Sequence, residues 1–245
     1  MDTFPIPPPA FSGRCRAVPP GNIFDWLRQG WAVFMVNPGA WIAMTVLFAV
    51  IFFGLSIVPL IGRFAAFLLS PLLTAGLLAA CRRIERGETP EIPDLFTGFR
   101  VATSNLVMLG LALAVAMLAI FVLVTLLGGG SLAGGLMMGT PSGFGFAFAG
   151  MLLALLLSLV LTVPVAMALC FAPALVLFND MAPLPALRAS FDACLTNALP
   201  FLVFGLIVLV LGFFAALPLG LGFLILMPVL AGALHAAYRD VFPGS

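Results

Sequence analysis

Long stretches without a charged side chain constrain this chain more than any other feature of its sequence. Asp, Glu, Lys and Arg are absent from residues 30–62, 64–81, 101–179 and 193–238. A helix needs about 20 apolar residues to cross the hydrocarbon core of a bilayer, so the first two stretches hold one crossing each and the last two hold two each. The sequence therefore predicts six transmembrane helices.

The overall composition agrees with lipid as the solvent of the folded chain. The 245 residues are 63% hydrophobic and 8% charged, whereas soluble domains carry about 25% charged residues. One water-soluble core does not cover so much apolar surface, because cores stop growing with chain length. The net charge of +1 produces no field that would attract nucleic acid, so we expect no nucleic-acid partner.

Turn-forming residues divide the apolar stretches into an all-α fold of three helical hairpins, over about residues 39–82, 104–177 and 198–238. Nine glycines in residues 128–150 make that segment a poor helix former and predict a loop. Pro164 and Pro173 in the fourth helix predict a kink or an early end. The six predicted helices cover residues 39–60, 64–82, 104–127, 148–177, 198–216 and 219–238.

Arginine sets the predicted orientation. Nine of the ten Arg residues precede the first helix, follow the last one or lie between hairpins, and only Arg63 falls on the other side. Positive side chains concentrate on the cytoplasmic side, so we expect a multi-pass protein of the bacterial inner membrane with both termini in the cytoplasm. Prolines in residues 1–21 predict a disordered cytoplasmic tail before a single membrane domain over residues 22–245.

Two short patterns recur in the hairpins and predict a threefold internal repeat. An aromatic residue stands six positions before an Asn in the pairs Trp31/Asn37, Phe99/Asn105 and Phe191/Asn197. Each second helix carries a proline followed by two small residues four positions apart, which are Gly76/Ala80, Ala168/Ala172 and Gly232/Ala236. Small residues at this spacing let helices approach closely in lipid, so these six are predicted packing residues.

A short amphipathic segment is predicted before each hairpin. Ile23, Leu27 and Trp31 recur at helical spacing, with Asp25 and Arg28 on the opposite face. A similar pattern surrounds residues 184–195, and a weaker one surrounds residues 95–99. Such segments are typical of helices that lie in the membrane interface.

Asn37, Asn105 and Asn197 are the candidate functional polar residues, because the repeat places them at equivalent cytoplasmic helix starts. One interpretation is a polar ring at the mouth of a pore. The other is helix capping, which Asn performs well and which explains the recurrence without a ligand. We favour capping.

Few other residues suggest chemistry. The four cysteines form no C-x-x-C pair and His235 is the single histidine, so we expect no metal site, no cofactor and no catalytic Ser-His-Asp set. His235 and Arg63 are interpreted as polar side chains near the headgroups. The connection over residues 82–100 alternates basic and acidic side chains, which predicts a solvated, salt-bridged loop that offers a place for a protein partner or for lipid headgroups.

Several segments resemble a known family. VPPGNIFDWLRQGWAVFMVNPGAW (residues 18–41), SIVPLIGRF and SPLLTAGLLAACRRIERGETPEIPDLFTGFR (residues 70–100) resemble uncharacterised small membrane proteins of Gram-negative bacteria. More distantly, three hairpins each led by an amphipathic helix and an Asn are similar to the membrane domain found beside glycerophosphodiester phosphodiesterases. The resemblance implies a six-helix inner-membrane fold and no activity, because this chain lacks the phosphodiesterase domain.

Two functions stay open at this level, and both are non-enzymatic. The first is a membrane scaffold or a protein that binds membrane lipid or a partner. The second is a carrier or channel for a small, weakly polar solute, suggested by the repeat and by hydroxyl side chains within the spans, Thr45, Thr125, Ser158 and Thr162. No acidic residue falls inside a predicted span, which favours the first. The oligomeric state stays open too.

Overall fold

The computed structural model describes residues 13–244, and regular structure in that range is helical. The α-helices are α1 (Asn22–Val36), α2 (Pro38–Ser56), α3 (Ile61–Glu85), α4 (Thr103–Val124), α5 (Gly130–Met138), α6 (Pro141–Cys170), α7 (Ala172–Asn179), α8 (Pro183–Thr196), α9 (Ala198–Ala216) and α10 (Phe223–Val241). A 3₁₀ helix covers Ile92–Phe99 and a π-helical turn covers Thr125–Gly129.

The six predicted membrane-spanning helices are confirmed. The apolar spans are Pro38–Ser56, Ile61–Glu85, Thr103–Gly129, Ser142–Asn179, Ala198–Ala216 and Phe223–Val241. Of an 18-residue apolar stretch in each span, 50% is buried inside the protein in α3 and 61% in α10, against 17% or less in the other four. The helices α3 and α10 therefore form the centre, and the others present most of their surface outward.

The glycine-rich segment over residues 128–150 is not the loop that the sequence predicts. The π-helical turn continues α4 directly into α5, and α6 begins seven positions before the predicted residue 148. Glycine costs a helix about 1 kcal/mol, a preference that close packing overrides. A Cβ atom on Gly128 would lie 2.7 Å from the Cβ of Ala154, so glycine lets α4 and α6 approach. Gly139, with φ of 61°, ends α5.

The fourth span is broken, as predicted, but at Phe171, between α6 and α7, while Pro164 stays inside α6. Pro173 lies in the first turn of α7, where a missing N–H costs little. The Phe171 N–H donates to Ser190 Oγ at 2.9 Å, and that hydroxyl donates to the Met167 carbonyl at 2.7 Å. A serine of α8 thus satisfies the backbone groups that the break leaves free.

A short helix precedes each pair of spanning helices and packs against the second span of a different pair. The helix α1 lies against α10, the 3₁₀ helix lies against α3, and α8 lies against α6. The first two contacts are made backbone to backbone. A Cβ atom on Gly30 would overlap the Val229 carbonyl, and one on Gly98 would overlap the Leu72 carbonyl.

The predicted packing residues lie at these same contacts. A Cβ on Gly76 would overlap the carbonyl of Leu95 in the 3₁₀ helix, and one on Gly232 would lie 2.8 Å from the Cα of Gly30 in α1. The helices that approach closely at Gly76 and Gly232 are thus the short helices. Ala80, Ala172 and Ala236 are buried and Ala168 is half-buried. The threefold repeat itself stays a prediction.

The segment from Arg14 to Val18 is bound to the rest of the fold, although the sequence predicts a disordered tail up to residue 21. The first twelve residues of that tail lie outside the described range. The Arg16 N–H donates to the Val241 carbonyl at 2.9 Å, and the Val18 N–H donates to Asn197 Oδ1 at 2.8 Å. These partners are more than 170 positions away, which is why composition did not reveal the order.

We predict that Gly30→Ala lowers the free energy of unfolding by about 3 kcal/mol, the upper end for overpacking, because the new methyl group meets the Val229 backbone. Gly205→Ala is the matched control, since no atom lies within 4 Å of its added Cβ, and it should change stability by about 1 kcal/mol or less. Thermal unfolding of the detergent-solubilised protein measures both. Equal melting temperatures would contradict the close contact of α1 and α10.

Candidate functional site

The ends of α3 and α10 bring charged and polar side chains together at one end of the bundle, called here the charged end. Glu85 accepts a hydrogen bond from Arg239, and its Oε1 lies 3.2 Å from His235 Nε2. The His235 side chain is only 5% exposed, and neither ring nitrogen has hydrogen-bond geometry to a described partner. The sequence placed His235 at the headgroups, but packing against Phe178 and Tyr238 buries it instead.

Arg83 ties the following loop to the end of α3. Its guanidinium donates to Asp94 Oδ1 at 2.8 Å and to Glu88 Oε2 at 3.0 Å. The second oxygen of Asp94 accepts the backbone N–H of Glu91 at 2.8 Å and completes a capping box for the 3₁₀ helix. The loop over residues 82–100 is therefore salt-bridged, as the alternating charges predicted. The charge of Arg83 is therefore neutralised by carboxylates of this loop.

A cavity of about 440 Å³ opens beside the Arg83–Asp94 ion pair, between α3, the 3₁₀ helix and α7. Its charged lining consists of Arg82, Arg83, Arg86 and Asp94, and Thr97 and Phe178 also line it. The Arg82 guanidinium carbon lies 4.5 Å from the centre of the Phe178 ring, which holds the cation in place. We call this cavity the arginine pocket.

The arginine pocket carries excess positive charge. Within residues 13–244, neither Arg82 nor Arg86 forms an ion pair with a carboxylate, whereas Arg83 is balanced by Asp94. Arg82 is half-buried and Arg86 is exposed. Arginine presents a planar fork of donors that matches phosphate and carboxylate oxygens, so this arrangement suits an anionic group.

A second polar cavity, of about 360 Å³, lies between α1 and α10. Asp240 is its most engaged residue: Oδ2 accepts from Asn22 Nδ2 at 2.7 Å and from Trp26 Nε1 at 3.0 Å, and Oδ1 accepts from Arg16. The carboxylate is thus occupied in holding α1 and the N-terminal segment. This cavity serves the packing of the fold.

The three repeated asparagines have separate surroundings. Asn37 caps α2, with its Oδ1 accepting the Ala40 N–H at 3.2 Å. Asn105 lies half-buried in the first turn of α4. Asn197 is buried, and its Nδ2 donates to the carbonyls of Arg16 and Ala193. The side-chain amides of Asn37 and Asn197 therefore bond to separate backbone groups. The polar ring stays a prediction, and no contact between the three residues supports it.

Two of the four hydroxyl side chains proposed to line a solute path, those of Thr45 and Thr125, donate to backbone carbonyls. Thr45 Oγ1 donates to the Trp41 carbonyl at 2.8 Å, and Thr125 Oγ1 donates to the Phe121 carbonyl at 2.7 Å. Both bonds stay within the residue's own helix, so these hydroxyls are satisfied locally. Among the described residues, no group of three or more His, Cys, Asp or Glu is arranged to hold a metal ion.

Sequence reasoning singled out the loop over residues 82–100 but missed how its arginines divide. The partner of Arg82 is Phe178, 96 positions along the chain, and no local pattern marks that aromatic residue. A detectable signal did exist for Arg83, because Glu88, Glu91 and Asp94 follow it at short range.

We predict that Arg83→Gln releases this loop and speeds trypsin cleavage after Arg86. The change leaves the largely buried Asp94 carboxylate without its cation, at a cost of about 1–3 kcal/mol. Arg28→Gln is the control, since Arg28 is exposed and has no ion-pair partner within residues 13–244. Limited proteolysis followed by mass spectrometry measures the cleavage. The same cleavage rate in both variants would show that Arg83 does not hold the loop.

Comparison with known proteins agrees with a membrane protein. A probable inner membrane protein of Burkholderia thailandensis is 33% identical to the chain over 227 residues, which cover 87% of this chain and 80% of that protein. No protein-family model and no solved structure matches the chain. The comparisons show no link to glycerophosphodiester phosphodiesterases. With its six spanning helices and this similarity, the chain belongs to the family of that probable inner membrane protein.

Proposed function

We propose that this protein is a non-enzymatic, lipid-binding protein of the inner membrane, and that its arginine pocket binds the anionic headgroup of a phospholipid on the cytoplasmic side. The observation that carries the proposal is the pair Arg82 and Arg86. Neither has a carboxylate partner among the described residues, and both line one cavity of about 440 Å³.

The position of the arginine pocket suits a headgroup. The apolar span of α3 ends at Glu85, between the two arginines, so the pocket lies where the hydrocarbon core gives way to the polar interface. Basic pockets between spanning helices at this depth bind the phosphates of acidic lipids. Thr97 adds a hydroxyl to the lining, and Phe178 holds Arg82 against it.

The surroundings of the polar residues support binding over catalysis or transport. The single histidine is buried against Glu85 and does not line the arginine pocket. The hydroxyls of Thr45 and Thr125 are bonded to their own helices, which weakens the carrier alternative. A protein partner at the loop over residues 82–100 would use the same exposed charges, Arg86 among them.

We predict that acidic phospholipid binds the wild-type protein more tightly than phosphatidylcholine, and that Arg82→Gln/Arg86→Gln weakens this preference about tenfold, which corresponds to about 1.4 kcal/mol. The control is Arg28→Gln/Arg188→Gln, which removes the same charge from two exposed positions outside the pocket. Native mass spectrometry with phosphatidylglycerol, cardiolipin or phosphatidylcholine measures the bound lipid. Equal loss in both double variants would point to general charge attraction and would contradict a pocket.

The proposal also requires the charged end to face the cytoplasm. In a variant without the four native cysteines, we expect Thr89→Cys to react with a membrane-impermeant thiol reagent only after lysis. Arg63→Cys, at the opposite end of α3, should react in spheroplasts, whose inner membrane is intact. The reverse pattern would invert the topology and place the arginine pocket on the outer side of the membrane.

A further inference from the structure

The hairpin of α4–α5 and α6 is much longer than the other two. Each first spanning helix follows a short helix in the chain: α2 follows α1, α4 follows the 3₁₀ helix and α9 follows α8. The helices α2 and α9 run for 19 residues each, about 28 Å at 1.5 Å per residue. The continuous helical segment from Thr103 to Met138, called here the rod, consists of α4 with 22 residues, the π-helical turn with 5 and α5 with 9. At the same rise per residue it is about 54 Å long.

This length exceeds what a bilayer accommodates in a straight helix. The hydrocarbon core is about 30 Å thick, which α2 and α9 match. Even at a tilt of about 40°, the upper end for spanning helices, a rod of about 54 Å still spans about 41 Å. The far part of this hairpin, residues 125–150, is therefore more chain than a straight crossing needs. We call it the tip hairpin.

The surface of the tip hairpin is apolar and exposed. It belongs to the 79-residue stretch without a charged residue, and α5 packs against α6 and the π-helical turn. Met137 is 90% exposed, and Leu127, Phe146 and Phe148 are exposed as well. A soluble surface rarely carries so many large apolar side chains together, so something apolar covers them.

The chemistry of the tip hairpin favours lipid as the cover. Apolar side chains lie on every face, unlike an interfacial helix, which needs a polar face toward water. The few polar groups at its end are satisfied internally: Thr140 Oγ1 accepts the Gly143 N–H at 3.1 Å and lies 3.1 Å from Ser142 Oγ. The apolar surface is also continuous with the outward faces of α4 and α6, which lipid already covers.

We propose that the tip hairpin bends at its base and lies immersed among the acyl chains of the far leaflet, rather than standing in water. The base carries suitable hinges. The π-helical turn at Thr125–Gly129 interrupts the regular α-helical ladder, and such turns are common sites of kinks. The other helix of the hairpin, α6, contains Gly143, Gly145 and Gly150 near its start. The tip hairpin thus adds acyl-chain contact to that made by the outward faces of the spanning helices.

The test uses nitroxide spin labels on the full chain in lipid vesicles, with the four native cysteines replaced. Labels at Met137→Cys and Phe148→Cys report the tip hairpin. The matched control is Arg63→Cys, on the same side of the membrane, where a charged residue marks the water boundary. Collision with oxygen, which concentrates in lipid, is compared with collision with a water-soluble nickel chelate.

The expected result is that oxygen collisions exceed nickel collisions at both tip positions, while nickel dominates at Arg63→Cys. Nickel access at Met137→Cys equal to that at Arg63→Cys would place the tip hairpin in water and overturn the proposal. Spin–spin broadening at Met137→Cys that disappears on dilution with unlabelled protein would show a second copy as the cover, which also overturns it.

Discussion

Backbone contact between helices is the interaction on which the rest of this structure depends. In lipid no hydrophobic force draws helices together, so association relies on close packing. Glycine supplies it here: Gly30 meets the Val229 carbonyl, and Gly76 and Gly98 bring α3 against the 3₁₀ helix. These contacts join α1 and the 3₁₀ helix each to a span from another pair. They place α3 and α10 at the centre of the bundle, with their charged ends beside each other.

The arginine pocket follows from that arrangement. Because the 3₁₀ helix is pressed against α3, Asp94 comes within 2.8 Å of Arg83 and neutralises it. Arg82 and Arg86, on neighbouring turns of the same helix end, keep their charge without a described carboxylate partner. Phe178 reaches Arg82 only because α6 breaks at Phe171 and α7 turns its aromatic side chain toward α3. Adjacent arginines therefore have separate surroundings: Arg83 holds the loop, and Arg82 and Arg86 form the proposed binding surface.

Glycine has a different consequence in the longest hairpin. At Gly30 and Gly76 an added methyl group meets backbone, whereas at Gly130, Gly134 and Gly145 it meets no atom within 4 Å. The first set stabilises the centre of the bundle. The second leaves space around these three positions in an apolar pair of helices. The arginine pocket at one end and the apolar tip hairpin at the other are the two features on which the proposed contacts with lipid rest.

The sequence by itself determined the six spans, because the demand of lipid acts locally on every run of about 20 residues. It also anticipated the Asn37 cap and the salt bridges that follow Arg83, whose partners are near in the chain. Tertiary structure decided the rest. The helical glycine segment, the contacts of Asn197 with residues 16–18 and the Arg82–Phe178 pair depend on packing between distant segments. Local propensity does not encode which backbone arrives to make such a contact, so only the assembled fold reveals it.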